Sequence, residues 1–385
     1  MKSVRGRTDV DSKLEAPSPP SRVPLRPGPE PLLMVEEPRP RSGRSNPKRF
    51  YAIAAVLVIL LMVAAVATIY AVFRLLGPQD QDIDSSWVLD QTGAKSLQSR
   101  GLSGAGVVVC ILDSGYDATH PDLSHARIAA WKDFIASEPE PYDDNGHGTY
   151  MGSLIVARGR VNGVAPQASL VVGKVIRGDG TGDDSTAATG IDFCLEKQAD
   201  VISLSWGGKS RPLGQTRTES ATSRALSLGV YVVASAGNDG PDNQDVASPA
   251  SMSGVIAVGA VDRKGAIGPF SSQGANSPID HPPIGRQDPD RKPETVASGV
   301  DVPGAWTEGR YVLGEGTSQA TALVSGVIAL LLEAHPAYKR AGTSMVATFK
   351  SRLMDSCRAL AAQTTPHDDR YGYGLVDAVK LESLL

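Results

Sequence analysis

Five short runs rich in β-branched residues constrain the fold of this chain more than any other feature of its sequence. Continuous runs of this kind are typical of parallel strands that are buried on both faces. Predicted helical segments separate them, and this alternation predicts an α/β fold with a mainly parallel central sheet. The predicted strands are 107–113, 170–175, 201–205, 230–234 and 255–259, and the predicted helices are 149–157, 186–198, 219–228 and 318–334.

Polar residues follow these elements where parallel sheets build their sites, at the carboxyl ends of the strands. Asp113 ends the first run, Asn238 follows the fourth, glycines flank His147, and Ser318 begins the last predicted helix. Taken singly, each has a structural explanation, such as a helix cap for Ser318 or a turn residue for Asn238. A serine attacks a carbonyl only where a base, a group that orients the base and oxyanion donors converge. The four residues together contain all of these parts.

The order Asp113, His147, Ser318, with Asn238 before the serine, resembles the subtilisin-like serine peptidases, the subtilase family S8, in which this order is the defining one. The resemblance extends from about Trp87 to the C-terminus and implies a subtilisin-like three-layer fold over 87–385. Its motifs are Asp113-Ser-Gly, His147-Gly-Thr, Gly163-Val-Ala-Pro, Ser205-Trp-Gly-Gly, Ala236-Gly-Asn, Gly316-Thr-Ser and Gly372-Tyr-Gly-Leu-Val-Asp-Ala.

The resemblance implies a serine endopeptidase that hydrolyses proteins or peptides through an acyl-enzyme. Ser318 would be the nucleophile and His147 the general base and acid. Asp113 would orient the histidine, and Asn238 would lie in the oxyanion hole. The implied substrate-binding residues are Ser205, Trp206, Gly207, Gly208, Ala236 and Gly237. The alternative is a membrane-anchored pseudopeptidase that binds peptides without cleaving them.

Three positions depart from the common family pattern. Gln319 follows the serine where methionine is usual, Ala322 replaces a proline, and Tyr150 replaces a frequent second histidine. The nucleophile is retained, so activity is expected, but Gln319 keeps the pseudopeptidase alternative open.

No metal or cofactor is expected to take part in catalysis. Asp122 matches a residue that often ligates structural calcium in the family, but the chain from 157 to 163 is too short for the loop that usually completes the site. Calcium needs six to eight oxygen ligands. We therefore expect Asp122 to pair loops, with structural calcium as the less favoured hypothesis.

Residues 51–73 form a run of 23 residues without a charge. About 20 apolar residues suffice to cross a bilayer as a helix, so this run is predicted to be a transmembrane helix, with a cleavable signal peptide as the alternative. Basic residues crowd its N-terminal side, which predicts a cytoplasmic N-terminus and an extracytoplasmic peptidase domain. The lipid bilayer is accordingly an expected partner. The basic residues are Arg39, Arg41, Arg44, Lys48 and Arg49.

The segment 1–50 is rich in proline and in basic residues and cannot bury a core, so it is predicted to be disordered and cytoplasmic. Residues 74–86 are predicted to be a short linker, too short for a pro-segment of the length common in secreted subtilases. Either the domain folds without such a segment, or its activity is controlled otherwise, for instance by substrate access at the membrane. The net charge of −4 gives no indication of nucleic-acid binding.

The chain has three cysteines, and no sequence signal pairs any of them. Cys110 lies in the first predicted strand and is expected to be a small buried hydrophobic residue. Cys194 falls in a predicted helix and Cys357 near another.

Overall fold

The structure is a computed structural model that describes residues 83–208, 216–242, 245–276 and 285–385. The predicted disordered segment 1–50, the predicted transmembrane helix 51–73 and most of the predicted linker 74–86 lie outside the described residues.

A seven-stranded sheet forms the centre of the fold. Its strands lie in the order β2-β3-β1-β4-β5-β6-β7, and every neighbouring pair is parallel. The α/β fold with a mainly parallel sheet is thereby confirmed. The strands are β1 (Val108–Asp113), β2 (Arg127–Asp133), β3 (Ser169–Lys174), β4 (Val201–Leu204), β5 (Tyr231–Ser235), β6 (Ile256–Val261) and β7 (Thr295–Ser298).

Helices cover both faces of the sheet. The helices are α1 (Ser86–Thr92), α2 (Ala94–Ser99), α3 (His147–Val156), α4 (Asp184–Glu196), α5 (Arg217–Ser227), α6 (Thr317–Ala334), α7 (Thr343–Ser356) and α8 (Ala378–Leu384). Successive side chains of a strand point to opposite faces. In β1, Ile111 lies against Gly152 of α3, whereas Leu112 lies against Gly190 of α4. The sheet is therefore the middle of three layers.

Helix α6 is the central helix of the domain. It is buried from Thr317 to Leu332 and packs against five strands of the sheet. Among the described residues it is the one helix long and apolar enough to cross a membrane, but 89% of that stretch is buried inside the domain. Its apolar composition is therefore explained by the core that it forms.

Some strands were not predicted from the sequence. The edge strand β2 alternates between exposed and half-buried residues, so it lacks the apolar run that marks the buried strands. Strands β8 (Val302–Trp306) and β9 (Arg310–Gly314) form an antiparallel hairpin outside the main sheet. Their glycines and polar residues hide the strand pattern.

A disulfide joins Cys110 of β1 to Cys194 of α4, with a Cα–Cα distance of 5.7 Å. No sequence signal predicted this pairing, and Cys110 is fully buried as expected. The two residues are 84 positions apart, and only the packing of α4 on β1 brings them together. Cys357 is a free thiol.

A buried ionic cluster lies at the amino ends of β6 and β7. The Glu294 carboxylate contacts the ammonium groups of Lys292 and Lys350 at 2.8 and 2.7 Å. Lys350 also pairs with Asp290. Both lysines donate to the Val255 carbonyl, at 2.6 and 3.1 Å. Burial lowers the pKa of Lys292 to about 7, although the charge of Glu294 opposes the shift.

Candidate active site

The structure brings Asp113 and His147 into direct contact. Asp113 is the last residue of β1 and is fully buried, and its Oδ1 lies 2.8 Å from Nδ1 of His147. The same oxygen accepts the Ser114 amide at 2.7 Å, whereas Oδ2 has no hydrogen-bond partner among the described residues. A buried carboxylate with so few donors interacts strongly with a neighbouring cation. The arrangement therefore favours an imidazole that becomes charged.

The carboxylate of Asp143 holds the loop that carries His147. Its Oδ2 accepts the amide and hydroxyl of Thr149 at 2.8 and 2.7 Å, which caps the first turn of α3. Its Oδ1 accepts the Gly146 amide and the Ser114 hydroxyl, at 2.8 and 2.9 Å. These hydrogen bonds hold the pKa of Asp143 below its usual value, although burial opposes them. The loop and the end of β1 are thus joined through one ionised group.

Lys174 places a second charge beside the site. It ends β3 in register with Asp113 and is fully buried. Its ammonium donates to the Ser114 carbonyl and to Asp144, both at 2.5 Å. The charge of Lys174 is thus paired with Asp144, at a position in register with Asp113.

The groups around His147 favour the charged form of its imidazole. Burial disfavours the imidazolium, but the charge of Asp113, its hydrogen bond and the charge of Asp143 together raise the pKa of His147 above its usual value. The side chain remains 31% exposed. Since Nδ1 faces Asp113, Nε2 on the far side of the ring is left to exchange a proton with a reacting group.

Gly146 is required by the ring of Trp306. Its φ of +102° favours glycine, and a Cβ at this position would lie 2.2 Å from the indole. The hairpin residue Trp306 therefore packs directly against the backbone that precedes His147.

Ser318 lies at the start of α6 and is 8% exposed. Its hydroxyl donates to the Ser205 carbonyl at 2.8 Å, and the Ser205 hydroxyl donates back to the Ser318 carbonyl at 3.2 Å. Among the described residues, no hydrogen bond joins Ser318 to His147. The serine is thus held at the same edge of the sheet with its hydroxyl turned to the end of β4.

The side chain of Asn238 is oriented by Thr317. Its Oδ1 accepts the amide and the hydroxyl of Thr317, at 3.0 and 2.9 Å. The Gly237 amide donates to the same hydroxyl at 3.2 Å, and the Ala236 amide donates to Val258 at 3.0 Å. Since Oδ1 is tied to the start of α6, the Nδ2 donor group faces the opposite way. Gly237 thus contacts the threonine that orients Asn238, whereas the Ala236 amide is bonded to β6.

The segment after β4 lines a cleft. A cavity of about 330 Å³ is bounded by Trp206, Gly207, Gly208 and the chain beyond β3. The Trp206 indole donates to the Leu112 carbonyl at 2.6 Å, which fixes the ring beside the end of β1. Both backbone groups of Gly208 are bonded to Ser248 at 2.9 Å. The backbone amide and carbonyl of Gly208 are therefore both occupied within the domain.

Two of the unusual residues noted in the sequence contact each other. Tyr150 of α3 and Gln319 of α6 are 2% and 4% exposed and share a hydrogen bond. The Tyr150 hydroxyl donates to the Val302 carbonyl at 2.5 Å. The pair therefore joins the helices that carry His147 and Ser318 to the hairpin.

Asp122 pairs loops, as the sequence indicates. Its carboxylate accepts the Val161 amide at 2.9 Å and the Tyr311 hydroxyl, and its carbonyl accepts the Arg158 amide at 3.0 Å. In the part of the chain that the structure describes, no three His, Cys, Asp or Glu residues are grouped to hold a metal ion.

Sequence reasoning missed the residues that support the site, namely Asp143, Lys174, Trp306 and Thr317. Asp143 lies only four residues before His147, and an acid at that distance from a glycine-flanked histidine is a usable signal for a helix cap. Lys174 and Trp306 act across the sheet and the hairpin, and no local pattern marks them.

Comparison with known proteins gives matches over the same region. The model of the subtilase family matches residues 104–374. A thermostable alkaline protease of Halalkalibacterium halodurans is 38% identical over 255 residues, which cover 66% of this chain and 64% of the relative. Subtilisin E of Bacillus subtilis is 35% identical over 259 residues, covering 66% and 62%. Subtilisin BL of Lederbergia lenta is 33% identical over 295 residues, covering 76% and 96%.

The chain thus spans less than two thirds of the length of the first two relatives. The family match covers more than half of the chain and includes all four residues around which the site is built. The chain belongs to the subtilase family.

Proposed function

We propose that this protein is a serine endopeptidase that hydrolyses peptide bonds through an acyl-enzyme. The observation that carries the proposal is the 2.8 Å contact between buried Asp113 and Nδ1 of His147, at the sheet edge where Ser318 begins α6. Family membership supports the same activity.

In the proposed reaction, the Ser318 hydroxyl turns from the Ser205 carbonyl towards Nε2 of His147. The Oγ attacks the scissile carbonyl while His147 takes its proton. Asp113 stabilises the imidazolium and keeps the ring in the required tautomer. His147 then protonates the leaving amine, and water releases the acyl group by the same steps in reverse order. No cofactor is needed, since this chain supplies the nucleophile, base and donors.

The oxyanion is proposed to accept hydrogen bonds from Nδ2 of Asn238 and the Ser318 amide. The Thr317 contacts that hold Oδ1 of Asn238 support this role, because they leave Nδ2 as the group facing the site. Loss of the equivalent amide in subtilisin itself costs about 10²- to 10³-fold in rate.

Proteins or peptides are the proposed substrates. An extended chain pairs well with a strand-like segment, and Ser205–Trp206–Gly207 provides one beside Ser318. The cavity bounded by Trp206 and Gly207 is proposed to take a substrate side chain.

Labelling with a fluorophosphonate probe tests the proposed nucleophile. We expect the wild-type chain to be labelled and Ser318→Ala and His147→Ala to be unlabelled at equal folded concentration. Labelling that persists in Ser318→Ala would refute the nucleophile. A folded wild-type chain that is never labelled but binds peptides would support the pseudopeptidase alternative instead. The observation that favours this alternative is the hydrogen bond from the Ser318 hydroxyl to the Ser205 carbonyl.

We propose an extracytoplasmic location, with residues 51–73 as a single membrane anchor and the N-terminus cytoplasmic. The 23 uncharged residues and their basic N-terminal flank support the anchor. The disulfide between Cys110 and Cys194 supports an oxidising compartment. The full chain should remain in membranes after carbonate washing, and protease added to intact cells should remove the domain. A domain protected from that protease would contradict the orientation.

We propose that the fold is stable without calcium. The Asp122 carboxylate is already bonded to Val161 and Tyr311, which supports its role in pairing loops. EDTA should leave the Tm unchanged, and a clear decrease would show a structural metal.

A further inference from the structure

Three polar atoms converge on one point beside the nucleophile. A Cβ built on Gly316 would lie 2.8 Å from Oε1 of Gln319, 3.4 Å from Nδ2 of Asn238 and 3.7 Å from the Ser318 amide nitrogen. One hydrogen-bond acceptor and two donors therefore lie around the Cα of this glycine. The two donors are those proposed for the oxyanion, and the acceptor has no role in that scheme.

Tyr150 determines which end of the Gln319 amide faces this glycine. A tyrosine hydroxyl has one proton, and that of Tyr150 goes to the Val302 carbonyl at 2.5 Å. Its hydrogen bond with Gln319 must then be accepted by the phenol oxygen and donated by Nε2. The amide is thereby oriented with Oε1 towards Gly316.

The ring of Tyr150 is itself fixed by the hairpin. A Cβ on Gly304 would come within 2.2 Å of the ring, and one on Gly314 within 2.6 Å. Both glycines therefore make room for the tyrosine. Because the ring is held on two sides, the Gln319 amide is anchored to a rigid group and cannot turn without breaking a buried hydrogen bond.

Oε1 of Gln319 is buried and has no hydrogen-bond partner among the described residues. Gln319 as a whole is only 4% exposed. Leaving a buried carbonyl oxygen unsatisfied is costly, so such a group calls for an explanation. An acceptor that is fixed beside the nucleophile gains its partner when a substrate with a donor group enters.

We propose that Gln319 is a catalytic residue whose Oε1 accepts the N–H of the scissile amide, and that Tyr150 is its positioning residue. This inference rests on the proposed function. The tetrahedral intermediate of a peptide carries an oxyanion and an N–H on neighbouring atoms, and the donors and acceptor around Gly316 complement that pair. When the C–N bond breaks, nitrogen takes a proton from His147 and keeps its own hydrogen, so Gln319 holds the leaving nitrogen without exchanging a proton.

Ester substrates separate this role from general effects on the site. An ester with the same acyl group forms the same oxyanion and the same acyl-enzyme, but its leaving atom is an oxygen without a hydrogen. Gln319 should therefore assist amide cleavage and not ester cleavage. The ratio of kcat/KM for a peptide amide to that for the matched ester reports this difference.

The experiment measures that ratio in the full chain for wild type, Gln319→Met, Tyr150→Phe and the double variant. We expect Gln319→Met to lower the amide-to-ester ratio by roughly three- to tenfold, the size of one hydrogen bond. Tyr150→Phe should lower it less, and adding it to Gln319→Met should have no further effect, because the tyrosine acts through the glutamine.

Ser325→Ala is the matched control, since it removes a different buried polar group of α6, a hydroxyl that is bonded to Ser203 at 2.9 Å. Its ratio should equal that of wild type. An unchanged ratio in both Gln319→Met and Tyr150→Phe overturns the inference, while fluorophosphonate labelling of Ser318 would still support the proposed function. If Gln319→Met does not fold, the Tyr150→Phe ratio decides alone. A folded wild type that is neither labelled nor active overturns both proposals.

Discussion

The carboxyl ends and the amino ends of the parallel strands, here called the carboxyl edge and the amino edge, hold buried charges in opposite ways. At the carboxyl edge, Asp113 is fully buried but its partner His147 is 31% exposed, and Oδ2 of Asp113 has no partner among the described residues. At the amino edge, Lys292, Glu294 and Lys350 are at most 1% exposed and are joined to one another. The carboxyl edge leaves hydrogen-bonding capacity unused beside a partly exposed imidazole, and the amino edge uses it up. The same scaffold thus separates groups suited to proton transfer from groups suited to holding structure.

The largest effect on activity is expected from removing the charge of Asp113 at the carboxyl edge. Asp113→Asn should lower kcat by about 10⁴-fold, as the equivalent change does in other serine peptidases, because the imidazolium loses its counter-charge and the ring its tautomer. Steady-state kinetics with a peptide substrate measure it. Asp192→Asn, at a half-exposed ion pair on α4, is the control and should keep wild-type activity. A folded Asp113→Asn variant with near wild-type kcat would remove the distinction between the edges.

The corresponding change at the amino edge should affect stability instead. Glu294→Gln leaves two buried ammonium groups without their shared carboxylate and should lower the free energy of unfolding by about 3–5 kcal/mol. Denaturant titration measures this loss. Asp90→Asn, which breaks the exposed pair with Lys95, should cost at most about 1 kcal/mol. If folded Glu294→Gln lost kcat while keeping its stability, the two edges would not be separate.

The disulfide lies between the edges and tests whether they depend on a common core. Replacing both Cys110 and Cys194 by alanine should lower the free energy of unfolding by about 2–4 kcal/mol, since the unfolded chain loses a crosslink that spans 84 residues. The change should leave kcat of the folded protein near that of wild type. Thiol titration of the unfolded, unreduced chain should find one free cysteine of the three. Three free thiols would contradict the bond.

The smallest effect, and the one that sharpens the comparison most, is the pH dependence of activity. Only neutral His147 accepts the proton of Ser318, so kcat/KM should rise as pH increases through the raised pKa of His147, with a midpoint above about 6.5. The stabilising contact between imidazolium and Asp113 is complete below the unfolded pKa and is lost as pH rises through the folded one. Activity and this contribution to stability therefore change in opposite directions. An acid limb centred below 6.5 would contradict the shift.

Much of the fold follows from local sequence pattern. The buried strands β1, β3, β4, β5 and β6 are continuous apolar runs, and the structure places each within one or two residues of its predicted bounds. Asp113 ends one such run and Asn238 lies shortly after another, so their position at the carboxyl edge needs only the parallel arrangement of the sheet. That arrangement also brings the start of α6, and with it Ser318, to the same edge.

Other features depend on contacts between distant segments. No local signal joins Cys110 to Cys194, because the bond requires α4 to lie against β1. Tyr150 and Gln319 appear in the sequence as two unrelated exceptions, and only the packing of α3 on α6 makes them neighbours. The hairpin of β8 and β9 was missed because its glycines, which weaken any strand pattern, are needed to admit the ring of Tyr150.

The contact between Gly146 and Trp306 limits how this site can change by mutation. Any side chain at 146 would collide with an indole only 2.2 Å away, and the backbone at 146 already has a positive φ. A larger residue at 146 is therefore tolerated only after Trp306 has become smaller. The two positions should vary together in relatives of this chain, and a library that randomises 146 alone should recover glycine almost exclusively.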